Sequence, residues 1–378
     1  NNTRQKKWTV MVYMDADGNL EQYGILNMNQ MESVGSNANV NLVVQFDRHP
    51  DYDTTNGNWT GTRRYLVTRD NDGQNITSPV LQDLGEVDMG QPSSLNEFIT
   101  WAKTTYPADH YCLVLWNHGA GWRSRNLPVA TRGILFDDTS GSYLTMPALQ
   151  IGLETSQTHF DLIAVDCSLM GMLEVAYQIK DQTDYITFSE ESPPGSGYPY
   201  DKILGALAAN PTMDAEAFGR VIVAQYVGAY PNMAVTQSLI LTANVPEFAK
   251  KVDALATAIL PTLSQYRAEF SQARSSTQAY AFSYYRDLFD FARNIKARLP
   301  VDTVTNAADA VMQGLSVENG GPVVAEAHNS TAMQHSHGLS IYMPGDNQYY
   351  PSYKDLRLSS NYPNWMTLLM NATQYYSP

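Results

Sequence analysis

The residues best suited to chemistry follow two apolar runs that lie 50 positions apart. His118 comes shortly after "LVLW", and Cys167 and Ser168 come directly after "LIAVD". If both runs are strands of one parallel sheet, their carboxyl ends share an edge, which brings an imidazole near a thiol or a hydroxyl. A nucleophile within reach of a base is what covalent acyl transfer requires. Gly119 permits a sharp turn beside the imidazole, and its amide is a candidate oxyanion donor.

Each of these features also has a simpler interpretation. A histidine at a strand end is more often a capped structural residue than a base, and a cysteine in an apolar run usually belongs to the core. The convergence of the two strand ends favours a catalytic pair. Because side chains alternate along a strand, Cys167 and Ser168 point to opposite faces, and only one of them can face His118.

Strand and helix signals alternate through the first 200 residues. A helical pattern separates most successive strands, and the buried strands are predicted at 8–14, 40–46, 111–116, 160–165 and 184–192. Residues 58–70 resemble an edge hairpin. The alternation predicts an α/β fold, an open and mostly parallel sheet with helices on both faces, in which ligands bind beyond the carboxyl ends of the strands.

The second half of the chain has a different pattern, with helical periodicity over much of 246–315 and strand character again in "HGLSIYMP". We therefore predict a mainly helical C-terminal subdomain that packs against the core, and a last strand that returns to the main sheet. The predicted divisions are a catalytic core at 1–245, the helical subdomain at 246–335, and the returning strand with a C-terminal helix at 336–378.

Composition limits the partners. The chain has 378 residues, 43 % of them hydrophobic, and a formal charge of −14. This charge argues against nucleic acid or an anionic membrane as the main partner and suits a cationic substrate, although acidity is common among soluble and secreted proteins. No apolar run is long enough for a transmembrane segment. The polar and basic start "NNTRQKKW" favours an exported protein that has lost a signal segment.

The only two cysteines are too few for a disulfide framework. Cys112 lies near the start of the predicted strand at 111–116 and six residues before His118, which along a strand is roughly 20 Å from the catalytic edge. We predict two free thiols.

Four segments resemble the clostripain family, cysteine endopeptidases of the caspase-like clan. They are "LVLWNHGAGW", "AVDCSLMGMLEVAYQI", "SEESPPGSGYPY" and "GLSIYMP", and they occur in the same order. The tract "YMDADGNLE" resembles the N-terminal segment of the family as well. The resemblance runs from about residue 7 to 344 and is weak in the helical part. It implies a caspase-like fold, a His-Cys dyad, a zymogen, and cleavage of protein or peptide substrates after Arg or Lys. It also implies a bacterial protein that is secreted, periplasmic or at the cell surface.

Carried over residue by residue, the resemblance assigns His118 as the catalytic histidine. An ungapped match of "DCSLMG" sets Ser168, not Cys167, on the catalytic cysteine. The chain is therefore expected to be inactive or nearly inactive, through a Cys-to-Ser change at position 168 that is either engineered or natural. Gly119 and the amide of residue 168 are expected to hold the oxyanion.

Substrate selection is expected to come from acidic residues. Asp166 points to the same side as Ser168 and would pair with a guanidinium or ammonium at P1. Its alternative role is to cap a helix predicted to begin at Leu169. Ser189 and either Glu190 or Glu191 end the neighbouring strand and are expected to line the same pocket, and the resemblance favours Glu191.

Two further expectations concern processing and metals. Family members cut themselves between the His and Cys segments, and Arg132 is our predicted processing site, although a simply solvated arginine is an equal alternative. The chemistry requires no cofactor, but calcium dependence occurs in the family. The tract "DADGN", residues 15–19, resembles the start of a calcium loop but lacks its terminal glutamate, so we interpret it as a turn and helix cap and assign no metal ligand.

Two other functions remain open. The chain could be a non-catalytic pseudoprotease that binds basic peptide segments without cutting them. It could also be a serine hydrolase that uses Ser168 as it stands, although it contains no Gly-x-Ser-x-Gly elbow.

Overall fold

A computed structural model describes residues 4–121 and 133–373. The strands of this part of the chain are β1 (Lys6–Ala16), β2 (Val40–Arg48), β3 (Gly61–Leu66), β4 (Val80–Gly85), β5 (Ala108–Trp116), β6 (Ile134–Asp137), β7 (Ser142–Leu144), β8 (Phe160–Asp166), β9 (Thr183–Phe188), β10 (Thr236–Leu241), β11 (Tyr285–Asp287), β12 (Val323–His328) and β13 (Ser340–Tyr342). Its helices are α1 (Glu21–Glu32), α2 (Pro92–Thr105), α3 (Met146–Thr155), α4 (Leu173–Ile179), α5 (Tyr200–Ala209), α6 (Ala215–Ala229), α7 (Val245–Ile259), α8 (Leu263–Ser276), α9 (Leu288–Arg298), α10 (Asp302–Gln313), α11 (Arg357–Asn361) and α12 (Asn364–Ala372).

A nine-stranded sheet in the order β12-β10-β9-β8-β5-β1-β2-β3-β4 forms the centre of the molecule. The five strands from β9 to β2 are parallel, and antiparallel pairs extend the sheet at both edges. Every residue of β2 is buried, as expected for a strand covered on both faces. The predicted mostly parallel sheet is confirmed.

Helices cover both faces of the sheet and create two apolar cores. On one face, α1, α5 and α6 pack on alternate residues of the central strands, including Val114 and Ala164. On the other face, α2, α3, α4 and the C-terminal helices pack on the residues between, including Leu115 and Val165. The helical part of the chain therefore shares a core with the sheet. No described helix is long and apolar enough to cross a bilayer.

The edges of the sheet differ from the prediction. The strand expected in 337–344 forms as β13, but it pairs with β11 in a separate two-stranded sheet instead of returning to the main one. The strand that extends the main sheet is β12, within the region predicted to be helical. Only its first two residues are buried and the other four are partly exposed, so its sequence carries a weak strand signal.

The strand order reverses at β1, which lies between β2 and β5. Chain segments after β1 and β5 leave the sheet toward opposite faces there and open a crevice at the carboxyl ends, the usual place for a ligand site in such sheets. The segment after β1 is Asp17–Leu20, and the segment after β5 begins at Asn117.

A buried ion pair anchors the start of α1 behind this crevice. Arg48 Nε donates to Glu21 Oε1 at 2.7 Å, and both side chains are fully buried. Glu21 Oε2 also accepts a hydrogen bond from the amide of Asp53 at 2.9 Å. Removing Glu21 takes away the fully buried counter-charge of Arg48 and leaves it the longer pair with Asp53 at 3.6 Å.

Replacing Glu21 by alanine is therefore expected to lower the free energy of unfolding by about 3 kcal/mol or more. Chemical denaturation measures this. Glu216→Ala is the matched control, since it removes an exposed pair with Arg220 and is expected to cost less than about 1 kcal/mol. Equal losses in the two variants would show that burial does not amplify the Arg48–Glu21 interaction.

Candidate active site

His118 and Ser168 leave the sheet side by side. Trp116 of β5 is paired with Asp166 of β8, and each candidate residue lies two positions beyond its strand's member of that pair. Adjacent strands are about 4.8 Å apart, and residues two apart share a face. The two side chains line one cavity of about 260 Å³, together with Leu20, Trp116, Asn117, Asp166, Ser192, Pro193, Pro194, Gly195 and Gly197.

Cys167 points away from this cavity. Its side chain is 1 % exposed and lies in the core on the opposite face, where Sγ donates to the carbonyl oxygen of Leu115 at 3.4 Å. Burial raises the pKa of the thiol well above its ordinary value, so it stays protonated at neutral pH. Cys112 is buried in the other core, and both cysteines are free, as predicted.

The two thiols are therefore expected to resist alkylation in the folded protein, with rates at least about a hundredfold below that of a free cysteine. Iodoacetamide labelling followed by mass spectrometry measures this, and labelling in denaturant shows that both sites are reactive once exposed. Selective modification of Cys167 in the native protein would make Cys167 the attacking residue and contradict the assignment of Ser168.

A constrained turn follows Ser168. Leu169 has a φ of +63°, a left-handed conformation that is unfavourable for a residue with a side chain. Gly171 lies so close to the neighbouring strand end that a Cβ would come within 2.7 Å of the amide nitrogen of Glu190, and its own amide donates to Ser189 at 2.8 Å. These contacts hold the turn in the conformation that directs Ser168 to the cavity.

His118 is fixed from both sides of the crevice. Its Nε2 lies 2.5 Å from Asn19 Oδ1, and because an amide oxygen accepts only, Nε2 carries the proton and Nδ1 keeps a lone pair. The carbonyl oxygen of His118 accepts from the amide of Leu135 at 3.3 Å. Burial lowers the pKa of His118, and the charge of Asp138 opposes this. The imidazole is neutral at neutral pH, as a general base must be.

Gly119 lies against the backbone of the Ser168 turn. A Cβ at this position would come within 2.4 Å of the carbonyl oxygen of Ser168, so only glycine fits. Gly119 faces Ile134 in an antiparallel bridge whose hydrogen bonds are made by the flanking residues, which directs the Gly119 amide away from β6. This amide is available to a group bound near Ser168.

Asp166 supplies a buried carboxylate to the cavity. Its Oδ2 accepts from the Tyr200 hydroxyl at 2.7 Å and from the Tyr198 amide at 3.1 Å. Burial raises its pKa to about 6, and these two hydrogen bonds oppose the shift. The alternative role as a helix cap is wrong, because α4 begins only at Leu173.

The other predicted site residues lie elsewhere or outside the described residues. Ser189 is buried beside the cavity and donates to the carbonyl oxygen of Glu191 at 2.7 Å. Glu191 Oε1 accepts from the amides of Ser192 at 2.7 Å and Ala281 at 3.0 Å. Neither residue is among those lining the cavity, and Glu191 holds the adjoining loop through these two hydrogen bonds. Arg132 lies outside the described residues.

Two parts of the site were not predicted as such. One is Asn19 with Leu20, which follow β1 and contact the histidine and the cavity respectively. The other is the loop from Ser192 to Gly197, whose "SPPGSG" composition indicates a fixed turn but no chemistry. Gly197 has a φ of +58°, and a Cβ there would lie 2.7 Å from the Asp166 carboxylate.

Comparison with known proteins identifies the family. The model of the clostripain family matches residues 12–373, so the chain belongs to the clostripain family. Clostripain of Hathewaya histolytica is 32 % identical over 230 residues, which are 55 % of this chain and 44 % of that protein. The match thus spans less than half the length of this relative.

Solved structures confirm the caspase-like fold. A structure described as a secreted C11 cysteine protease from Bacteroides thetaiotaomicron, in complex with an irreversible peptide inhibitor, has a TM-score of 0.67 and 21 % identity, and covers 94 % of this chain and 98 % of that one. An inactive zymogen C11 protease from Parabacteroides distasonis has a TM-score of 0.66 and 22 % identity, with coverages of 95 % and 99 %.

Proposed function

We propose that this chain carries the site of a cysteine endopeptidase that cleaves after Arg or Lys, in a form made inactive or nearly inactive by Ser168 at the nucleophile position. The observation that carries the proposal is the shared cavity: His118, Ser168 and Asp166 line it, whereas the thiol of Cys167 is buried on the opposite face. Membership of the clostripain family supports the class of reaction.

In the active form, a cysteine at position 168 attacks the carbonyl carbon of the scissile bond. Nδ1 of His118 takes the thiol proton and passes it to the leaving amine as the C–N bond breaks. The acyl group remains on the cysteine as a thioester. Water then attacks this thioester, which regenerates the thiol and releases the N-terminal product with a free carboxyl group. The amides of Gly119 and residue 168 stabilise the negative oxygen that develops in both steps. None of these steps needs a cofactor.

Substrate preference follows from charge. The Asp166 carboxylate is the acidic group among the residues that line the cavity. It suits a guanidinium or ammonium at P1, and the formal charge of −14 attracts basic segments over a longer range. We also propose that the protein is exported from a bacterium, by secretion or to the periplasm or cell surface. The structurally similar protease from Bacteroides thetaiotaomicron, which is described as secreted, supports this. Self-processing after Arg132 is also part of the proposal.

Assay of a Ser168→Cys variant tests the function with four peptides that differ only at P1, which is Arg, Lys, citrulline or Gln. Hydrolysis after Arg and Lys alone supports the proposal. Citrulline is the sharpest comparison because it retains the shape of arginine without its charge. Tight binding of the Arg peptide without hydrolysis would instead favour a pseudoprotease. Turnover by the unchanged chain with fluorophosphonate labelling of Ser168 would favour a serine hydrolase.

A further inference from the structure

Four carboxylates from separate parts of the chain converge beside the crevice. Asp17 follows β1, Asp47 lies near the end of β2, Glu86 follows β4, and Asp137 ends β6. One oxygen from each lies within 4.8 Å of the others. Oxygens that bind a common Ca²⁺ at about 2.4 Å can be at most about 4.8 Å apart, so the four are spaced as ligands of one ion.

The cluster is not an ordinary acidic surface. Asp17, Asp47 and Asp137 are at most 1 % exposed, and only Glu86 reaches the surface. Two of them are held by protein donors: the Thr139 hydroxyl donates to Asp17 at 2.8 Å, and the amide of Met89 donates to Asp137 at 2.8 Å. The amide of Thr139 also donates to Asp17 at 3.1 Å, and the amide of Ser140 donates to Asp137 at 2.8 Å. These bonds orient both carboxylates, and each carboxylate oxygen keeps a second lone pair for a ligand.

Asp47 is the independent sign that a ligand is missing. Its side chain is fully buried, and neither carboxylate oxygen has a hydrogen-bond partner among the described residues. Its neighbours on either side in the sheet are Asp15 and Thr62. The buried carboxylate oxygens of Asp15 also lack described partners, and the Thr62 hydroxyl lies near enough to oppose the rise in the Asp47 pKa without meeting hydrogen-bond geometry. Burial and the charges of nearby carboxylates raise the pKa of Asp47 to about 9. A fold retains so many unsatisfied buried oxygens only for a reason, because each is costly.

We propose that Asp17, Asp47, Glu86 and Asp137 bind a divalent cation of the calcium class. All four ligands are carboxylates, the donor type that Ca²⁺ prefers, and the set contains none of the imidazole or thiolate ligands typical of zinc. The four carboxylates repel one another, and the described protein groups around Asp47 do not neutralise this repulsion. A doubly charged ion would neutralise it. Water supplies the remaining coordination positions.

The position of the ion has a consequence for the candidate active site. Asp17 lies two residues before Asn19, which holds Nε2 of His118, and Asp137 ends the strand that contacts His118 and Gly119. An ion therefore joins the two segments that fix the histidine. This consequence rests on the proposed function, whereas the binding of the ion does not.

Calorimetric titration of the metal-free chain with CaCl₂ tests the proposal, with thermal unfolding as a second readout. We expect about one ion per chain and a rise in Tm on the order of 3 °C at saturation. Asp47→Asn and the exposed Glu86→Gln are each expected to reduce binding at least about tenfold. In EDTA, Asp47→Asn should be no less stable than the parent chain, since the amide replaces a buried carboxyl group that has no hydrogen-bond partner among the described residues.

Asp109→Asn is the matched control, because it makes the same charge change at the opposite end of the sheet, where Asp109 pairs with Lys7. It should leave calcium binding unchanged. The absence of heat and of a Tm shift with CaCl₂ up to about 10 mM would overturn the proposal. Equal weakening by Asp109→Asn would also overturn it, because binding would then reflect overall charge. Neither readout requires turnover, so failure here is distinguishable from failure of the peptidase proposal.

Discussion

Replacing Ser168 by cysteine is expected to raise kcat/KM for Arg and Lys peptides by roughly a thousandfold or more. The gain comes from the nucleophile alone, because the neutral imidazole, the Gly119 amide and the acidic cavity are already present. A thiol with a pKa near 8.5 gives up its proton readily to a neighbouring imidazole, whereas a hydroxyl needs a far stronger and better oriented base. Hydrolysis of a fluorogenic Arg peptide by the two proteins measures the difference.

Two further substitutions in the Ser168→Cys protein test which side chains serve as base and nucleophile in the hydrolysis. His118→Ala should remove nearly all of the gain, since the thiol then loses its base. Cys167→Ala should retain it, because the Cys167 thiol is buried and hydrogen-bonded to Leu115 on the other face. Loss of activity in Cys167→Ala, with folding intact by circular dichroism, would contradict the assignment of position 168.

The central strands could be predicted from the sequence because burial on both faces leaves an uninterrupted apolar run. The predicted strand at 160–165 is observed as Phe160–Asp166, and that at 111–116 as Ala108–Trp116. Short, half-buried strands carry no such signal. The β11–β13 pair has three residues in each strand, and its partners are far apart along the chain, so no local pattern specifies their pairing.

The placement of the proposed catalytic residues was predictable for a related reason. Cys167 and Ser168 directly follow β8, and the alternation of side chains along a strand points them to opposite faces of the sheet. This alternation does not depend on the structure of the surrounding loops. The cation site was missed because its ligands are single acidic residues in four unrelated segments. Asp47 lies one residue beyond the predicted strand at 40–46, and the "DADGN" tract does not have the spacing of a continuous calcium loop. The predicted helix cap there is also wrong, since α1 has no side-chain cap.

Replacing Asp166 by asparagine in the Ser168→Cys protein is expected to lower kcat/KM for Arg peptides roughly a hundredfold or more. Asparagine still accepts the hydrogen bond from Tyr200, so the loop is retained while the charge is lost. The change should appear mainly in KM, because the proposed partner of this carboxylate is the P1 group and not the reacting atoms. Activity on the citrulline peptide should change little, which would bring the two substrates close to parity.

The pH dependence of KM and kcat in the Ser168→Cys protein is a second test of Asp166 as the group that binds P1. The pKa of Asp166 is raised to about 6, and the ionised form binds the cationic P1 group, so affinity should fall as the pH drops below about 6. The pKa of His118 is lowered, and protonation of this base should instead reduce kcat at acid pH. In Asp166→Asn, the affinity for the Arg peptide should no longer fall at acid pH, whereas kcat should still fall. Asp201→Asn, a neutralisation one residue beyond Tyr200 and outside the cavity lining, should alter neither. An acid limb in KM that persists in Asp166→Asn would mean that another group binds the P1 cation.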